Sequence, residues 1–106
     1  MTHTEKNQFK AEVKEFARRM GIEIKSLTLR PMKNKWASCS ADGRLNFSTD
    51  LLNMEKEIQN YVIVHELLHV NIPNHGKLWK SLMSVYLGDY EAIEKKLKHQ
   101  TVQVTK

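Results

Sequence analysis

Apolar residues at helical spacing mark the first segment of the chain. Between residues 4 and 20 they recur at intervals of one, three or four positions: Phe9, Val13, Phe16, Ala17 and Met20. This spacing places them on one face and predicts an amphipathic helix. Gly21 follows where a helix C-terminal cap is favoured, so we expect the helix to end there.

Alternating apolar and polar positions predict extended structure over residues 22–47. The phase of the alternation changes at Ser26, which indicates a bulge or a strand break. Two further short strands are expected at 35–40 and 44–48. The turn residues between them are Ala41, Asp42 and Gly43.

The second half of the chain predicts three helices. Residues 57–71 are too apolar on every side for a surface helix, so this helix should be central and mostly buried. Pro73 ends it. A second helix is expected from about 75 to 87, closed by Gly88, and a third carries Tyr90, Ile93 and Leu97. The tail, residues 100–106, alternates like a strand.

These elements predict an α+β fold. We expect an N-terminal helix and a small, twisted, antiparallel or mixed sheet of about three strands. The sheet would pack on the buried helix and on two further helices. The 106 residues fit one domain, 1–106, with a possible tail segment at 100–106. A hydrophobic content of 41% and a charged content of 27% are ordinary for a globular protein.

Composition and the N-terminal sequence indicate where in the cell the protein is expected. One cysteine excludes an internal disulfide, the N-terminus has no apolar signal region, and no apolar run is long enough to cross a membrane. We therefore expect a cytoplasmic protein without membrane contact. The net charge of +5 permits nucleic-acid binding, but the basic residues are dispersed among acids, which favours an ordinary solvated surface.

The segment His65-Glu66-Leu67-Leu68-His69 carries the chemistry. Residues four apart are neighbours on one helix face, so two imidazoles can converge on one tetrahedral zinc ion. Glu66, one step round the helix, can reach a zinc-activated water and accept its proton during attack on a carbonyl. The alternative is a pair of core histidines satisfied by hydrogen bonds. This alternative does not explain why a glutamate lies on so apolar a helix. Burial of a carboxylate without a partner costs several kcal/mol of folding free energy.

A catalytic zinc site needs a third protein ligand and one open position. His75 is the best candidate because Pro73 forces the chain out of the helix between His69 and His75. The next helix can then swing its first residue back towards the metal. Glu91 and Glu94 are rival third ligands.

Several stretches together resemble the YgjP-like metallopeptidase family over roughly residues 27–97. They are Lys35-Trp36-Ala37-Ser38-Cys39-Ser40, Gly43-Arg44-Leu45-Asn46, the segment 61–69, Asn74-His75, Trp79 and Asp89-Tyr90. The chain departs from the family pattern at Ala37, where the family has glycine, and at Leu78, where it has phenylalanine.

The resemblance implies metal ligands at His65, His69 and His75 and a catalytic Glu66. It also implies a minimal gluzincin-like fold, in which the edge strand of the sheet borders the cleft and can pair with an extended peptide. The chain is similar in length to the minigluzincins, some of which are latent because their own C-terminal segment lies in the cleft. The tail at 100–106 offers the same arrangement here.

We therefore predict a zinc-dependent metallopeptidase that hydrolyses peptide bonds in an extended polypeptide. One alternative is a nucleoside triphosphate pyrophosphohydrolase, an activity associated with the YgjP-like family, although no glycine-rich phosphate loop is present. A second is a nucleic-acid-associated protease resembling the SprT-like family, which shares the following histidine-glycine pair. A third is a non-catalytic module that zinc stabilises.

Other residues near these motifs have two interpretations each. Trp36 and Trp79 are expected in the core rather than as substrate contacts. Cys39 is expected as a small buried hydrophobe rather than a latency ligand. Asp89 is expected to cap the last helix rather than orient a ligand. The sequence does not choose among the side chains that could polarise the tetrahedral intermediate: Tyr86, Tyr90 and His99.

Overall fold

A computed structural model of the chain describes residues 3–98. In chain order this part contains α1 (His3–Met20), β1 (Ser26–Arg30), β2 (Ala37–Cys39), β3 (Arg44–Ser48), a 3-10 helix (Thr49–Asn53), α2 (Lys56–Asn71), α3 (Lys77–Leu87) and α4 (Tyr90–Lys98). The α+β class is confirmed, with the helices and strands in the predicted order. The predicted tail at 100–106 lies outside the described residues.

The three strands form a mixed sheet with β3 in the centre. β1 pairs with β3 in parallel, and β2 pairs with β3 in antiparallel orientation. β3 has the predicted bounds, whereas β2 is shorter than the predicted 35–40. Trp36 precedes β2 and is buried, and its carbonyl accepts a hydrogen bond from the Ser48 amide at 2.8 Å.

The first strand begins where the alternation changes phase, at Ser26. Ile22 and Ile24 were expected in extended structure, but they lie before the sheet and pack, half-buried, against the core. The end of α1 explains this difference. Gly21 adopts a φ of 69°, and the Ile22 amide donates to the Ala17 carbonyl at 2.9 Å, which holds the chain close to the helix.

Gly43 closes the turn between β2 and β3 at a point where the backbone is crowded. Its φ is 92°, and its carbonyl accepts a hydrogen bond from the Lys25 amide at 2.8 Å. A Cβ at this position would lie 2.6 Å from the carbonyl oxygen of Glu23. Only glycine fits both the conformation and the space, so the predicted turn also ties the start of β1 to the β2–β3 hairpin.

α2 is the centre of the core, as predicted. Every residue from 61 to 68 is buried, because the helix packs against β2 and against the three other α-helices. On the sheet, Phe47 meets Phe9 of α1 with ring centroids 5.3 Å apart. Within residues 3–98 no helix is long and apolar enough to cross a membrane.

Candidate metal centre

His65 and His69 lie one turn apart on α2, with ring centroids separated by 4.7 Å. His65 has 3% of its surface exposed and Glu66 has 2%, whereas His69 is partly open to solvent. The site is therefore built on the buried helix at the centre of the core.

The end of α2 fixes the orientation of the His69 ring. The helix ends at Asn71, and Pro73 follows the capping residue Ile72. The carbonyl of Ile72 lies 2.9 Å from Nδ1 of His69. A carbonyl only accepts hydrogen bonds, so Nδ1 must donate, and in the neutral ring the lone pair is left on Nε2.

His75 stands in the short loop between α2 and α3, because α3 begins at Lys77 and not at the predicted residue 75. Asn74 accounts for the difference, since its Oδ1 accepts a hydrogen bond from the Gly76 amide at 3.0 Å and forms an Asx turn. Gly76 then serves as the N-cap. The turn carries His75 back so that its Nε2 lies 2.8 Å from Nε2 of His69.

The three histidines meet the geometric requirement for a metal site. One ligand nitrogen from each of His65, His69 and His75 lies within 4.8 Å of the other two. Nitrogens bound to one tetrahedral zinc at about 2.0–2.1 Å would stand about 3.4 Å apart, so only a small adjustment separates these rings from a coordinating set. Desolvation and the neighbouring His65 and His69 lower the pKa of His75, which keeps its lone pair available.

Glu91 and Glu94, the rival third ligands, do not belong to this group of potential ligands in the described part of the chain. Glu94 instead accepts a hydrogen bond from the hydroxyl of Tyr61 at 2.8 Å. Tyr61 lies one turn before His65 on α2, and their rings are 5.8 Å apart. Helical spacing alone places Tyr61 beside the site, but its partner on α4 is separated by too many residues for the sequence to reveal it.

Glu66 contacts the side chains of His65 and Cys39. Its Oε2 lies 3.0 Å from Nδ1 of His65. An ionised carboxylate only accepts hydrogen bonds, so this contact places the proton of neutral His65 on Nδ1 and leaves Nε2 for a metal. The second neighbour is the thiol of Cys39 on β2. Burial, then the charge of Glu66 and its hydrogen bond with the thiol, raise the pKa of Cys39 to about 12.

Trp79 forms one wall of the histidine cluster. Its ring centroid lies 4.3 Å from that of His75, 5.3 Å from that of His65 and 5.9 Å from that of His69. The tryptophan is buried, as predicted, and so is Trp36. Trp79 stands in the first turn of α3, only four residues after His75, so their closeness in sequence already indicated that they could meet.

Of the other side chains that were considered near the metal site, those within the described residues lie on α3, on α4 or just before α4. Tyr90 is buried against Trp79, with ring centroids 6.0 Å apart, and Tyr86 is half-buried on α3. Oδ1 of Asp89 accepts a hydrogen bond from the Ala92 amide at 3.4 Å, which confirms Asp89 as a cap of α4. His99 lies outside the described residues.

The chain is similar in sequence to a known family and to one further protein. A model of the family described as "YgjP-like, metallopeptidase domain" matches residues 1–100. The chain is also 29% identical over 107 aligned residues to an uncharacterized protein of Methanocaldococcus jannaschii, with 87% of this chain and 92% of that protein covered.

Two solved structures are similar in fold. The metallopeptidase zymogen of Methanocaldococcus jannaschii jannalysin has a TM-score of 0.73 and 32% identity, covering 85% of this chain and 91% of that one. The metallopeptidase zymogen of Pyrococcus abyssi abylysin has a TM-score of 0.76 and 21% identity, covering 92% of this chain and 99% of that one. Both share the arrangement of a small sheet against helices.

Proposed function

Because the chain belongs to the YgjP-like metallopeptidase family, we propose that it is a zinc-dependent peptidase in which His65, His69 and His75 bind the metal and Glu66 is the general base. One observation supports this assignment of roles. The ligand nitrogens of the three histidines lie within 4.8 Å of one another, on residues that flank Glu66 in sequence. Three protein ligands leave one position open, as catalytic zinc sites require.

The donor set favours zinc among the common metals. Three imidazole nitrogens suit a borderline-soft cation, and carboxylate oxygens, which Mg²⁺ and Ca²⁺ prefer, are absent from the group formed by residues 3–98. When bound, zinc lowers the pKa of a coordinated water to about 7 and polarises a substrate carbonyl. The contacts of His65 and His69 at Nδ1 place the lone pair of each neutral ring on Nε2, where it can bind the ion.

Glu66 would accept the proton of the attacking water and later donate it to the leaving amine. Its carboxylate is enclosed by protein, with 2% of the residue exposed, so its charge is poorly screened. The hydrogen bonds with His65 and Cys39 limit the directions in which the carboxylate can turn. This restraint reduces the number of conformations that the base samples before a substrate arrives.

The location of β2 supports an extended polypeptide as the substrate. β2 is an outer strand of the sheet and packs against α2, and its Cys39 contacts Glu66. A peptide that adds to the outer edge of β2 would therefore pass beside the base. The family assignment favours peptide hydrolysis over nucleoside triphosphate hydrolysis, and nucleic-acid association remains a prediction.

The test compares four forms of the full chain loaded with one equivalent of zinc. Wild type should cleave unfolded casein. Glu66→Gln should retain zinc and lose at least about a thousandfold in kcat/KM, His75→Ala should lose zinc, and Glu91→Gln should resemble wild type. Release of pyrophosphate from nucleotides is measured in parallel. Full activity in Glu66→Gln, or pyrophosphate release without peptide cleavage, would refute the proposal.

We also propose that the full chain is partly latent as produced, so that it cleaves casein more slowly than a chain freed of its blocking segment. The support is its 32% identity to jannalysin, which was solved as a zymogen. The natural candidate for the blocking segment is the part of the chain after residue 98, which lies beyond α4. Truncation after Lys98 should raise peptidase activity while zinc affinity stays the same. A truncated protein that folds, binds zinc and gains no activity would refute latency through this segment.

A further inference from the structure

A basic groove of about 540 Å³ lies between α1 and the start of β1. Lys10, Lys14 and Arg18 line its α1 side, and their spacing of four places them on one helix face. Lys25 contributes a fourth cation from the chain just before β1. Among the described residues that line the groove there is no aspartate or glutamate, so its walls have a single sign of charge.

The floor of the groove is apolar. It is formed by Ala17, which is buried, and by half-buried aliphatic side chains: Ile22, Ile24 and Leu27. These include the two isoleucines that lie outside the sheet. Because their outer surfaces remain accessible, a ligand in the groove would meet apolar contacts below and cations at the sides.

The groove borders a free sheet edge. The strand order is β1-β3-β2, so β1 pairs on one side only within the described part of the chain. An outer strand offers backbone donors and acceptors that an extended peptide can pair with. Leu27 belongs to both features, since it lies in β1 and lines the groove.

The groove is separate from the metal centre. β1 and β2 lie at opposite edges of the sheet, with β3 between them, so about 9–10 Å separates the two strands. The histidine-bearing helix α2 packs against β2, at the far edge. Occupation of the groove therefore leaves the metal site and the outer edge of β2 accessible.

The lysines of the groove are available to a ligand. Within residues 3–98, Lys10 and Lys14 take part in no ion pair with an acidic side chain. Arg18 pairs with Glu15, and Lys25 lies 3.8 Å from Asp42, but both pairs are largely exposed. A single exposed contact is weak, so Lys25 can also turn towards an anionic partner, whereas two parallel hydrogen bonds hold Arg18 to Glu15.

We propose that this groove is a docking site for an extended acidic segment of a polypeptide, which adds to the free edge of β1 as a fourth strand. Alternate side chains of such a strand would face the apolar floor, and its carboxylates would meet the lysines. A single-stranded nucleic acid fits less well, because the described lining of the groove includes no aromatic side chain to stack on its bases.

The test measures binding by fluorescence anisotropy at low salt in the zinc-loaded, full-length Glu66→Gln variant, which keeps the probe intact. The probe is a labelled peptide of alternating glutamate and valine. Reversal of both unpaired cations, Lys10→Glu with Lys14→Glu, should weaken binding by about tenfold or more. The matched control, Lys80→Glu with Lys95→Glu, makes the same change in net charge on α3 and α4 and should leave affinity within about twofold.

Two further probes distinguish the occupant and its mode of binding. The same peptide with methylated backbone nitrogens on alternate residues cannot complete a strand ladder and should bind more weakly. An oligothymidylate of equal charge should also bind more weakly than the acidic peptide. Any of three results would overturn the proposal. The first is an equal loss of peptide affinity in the Lys10→Glu/Lys14→Glu and Lys80→Glu/Lys95→Glu variants. The others are equal affinity of the methylated and unmethylated peptides, or tighter binding of the oligothymidylate than of the acidic peptide.

Discussion

The hydroxyl of Tyr61 donates a hydrogen bond to Oε2 of Glu94 across 2.8 Å and joins the histidine-bearing helix α2 to α4. Burial, and secondarily the bond to Glu94, raise the pKa of Tyr61 well above its ordinary value. The hydroxyl therefore stays protonated and remains a donor at every pH at which the protein would be used. The contact gives Glu94 a partner within the protein, and Glu94 does not belong to the group of potential metal ligands among residues 3–98.

Loss of this hydrogen bond should destabilise the fold without changing the metal site. Tyr61→Phe leaves the carboxylate of Glu94 without its buried donor, and we expect a loss of about 1–2 kcal/mol in the free energy of unfolding. Urea denaturation of the metal-free protein measures this loss. Tyr86→Phe, on a half-buried tyrosine of α3, is the matched control and should change stability by less than about 0.5 kcal/mol.

The choice of His75 over Glu94 as third ligand predicts a difference in zinc affinity. His75→Ala should weaken zinc binding by more than about a hundredfold, because a three-ligand site loses one ligand. Glu94→Gln keeps the shape of the side chain and should leave zinc affinity within about threefold. Competition with a chromophoric chelator measures both constants. A large loss in Glu94→Gln with little change in His75→Ala would reverse the assignment.

The sequence predicted the elements that depend on local patterns. The spacing of apolar residues located α1 and α2, and Gly21 and Pro73 marked where these helices end. The start of α3 was placed two residues too early, because an Asx turn from Asn74 is a side-chain effect that periodicity does not report. A pattern of alternation also does not distinguish a strand from an irregular extended chain, so it did not reveal that Ile22 and Ile24 precede the sheet.

The contacts of the site differ in the same way in how far the sequence predicts them. His65, His69 and His75 are close in the chain, so helix geometry and one proline were enough to predict that they would meet. The contacts of Cys39 with Glu66 and of Tyr61 with Glu94 join residues far apart in sequence. Such contacts depend on strand order and helix packing, and a single sequence contains no direct record of either.

The environment of Cys39 predicts low reactivity. Burial and the negative charge of Glu66 raise the pKa of the thiol to about 12, so little thiolate exists near neutral pH. Alkylation of the metal-free protein by iodoacetamide at pH 8 should be at least about a hundredfold slower than that of a small free thiol. The rate should still be rising with pH above the ordinary thiol pKa of 9.0, because the thiolate is not yet fully formed there.

Two variants separate the causes of this low reactivity. Glu66→Gln removes the charge beside the thiol and should speed alkylation of Cys39 by several-fold to about tenfold. Glu94→Gln removes a carboxylate that does not contact Cys39 and should leave the rate unchanged. Equal rates in Glu66→Gln and wild type would show that burial alone protects the thiol.

Gly43 should tolerate substitution less well than Gly21. Both have positive φ values, but only Gly43 is enclosed, because the carbonyl oxygen of Glu23 stands 2.6 Å from the place that a Cβ would occupy. Gly21→Ala should lose about 1 kcal/mol from conformational preference alone, and Gly43→Ala about 2 kcal/mol or more, since backbone must also move. Thermal unfolding of both variants measures the difference. Equal losses would mean that the close contact is not restrictive.

The Asx turn of Asn74 predicts a role in positioning His75. Its Oδ1 holds the Gly76 amide at 3.0 Å, and the residue between them is the ligand that must return to the metal. Asn74→Ala removes the acceptor and allows the loop after α2 to sample other conformations. Zinc binding, measured by chelator competition, should therefore weaken by about tenfold.

The matched control for this turn is Asn74→Asp, which retains an acceptor at the same place and should keep zinc affinity close to that of wild type. His75 itself is unchanged in both variants, so neither loses a ligand. If both variants lost zinc affinity equally, the amide group of Asn74 rather than the turn would be responsible. No loss in Asn74→Ala would show that Pro73 alone sets the path of the chain between His69 and His75.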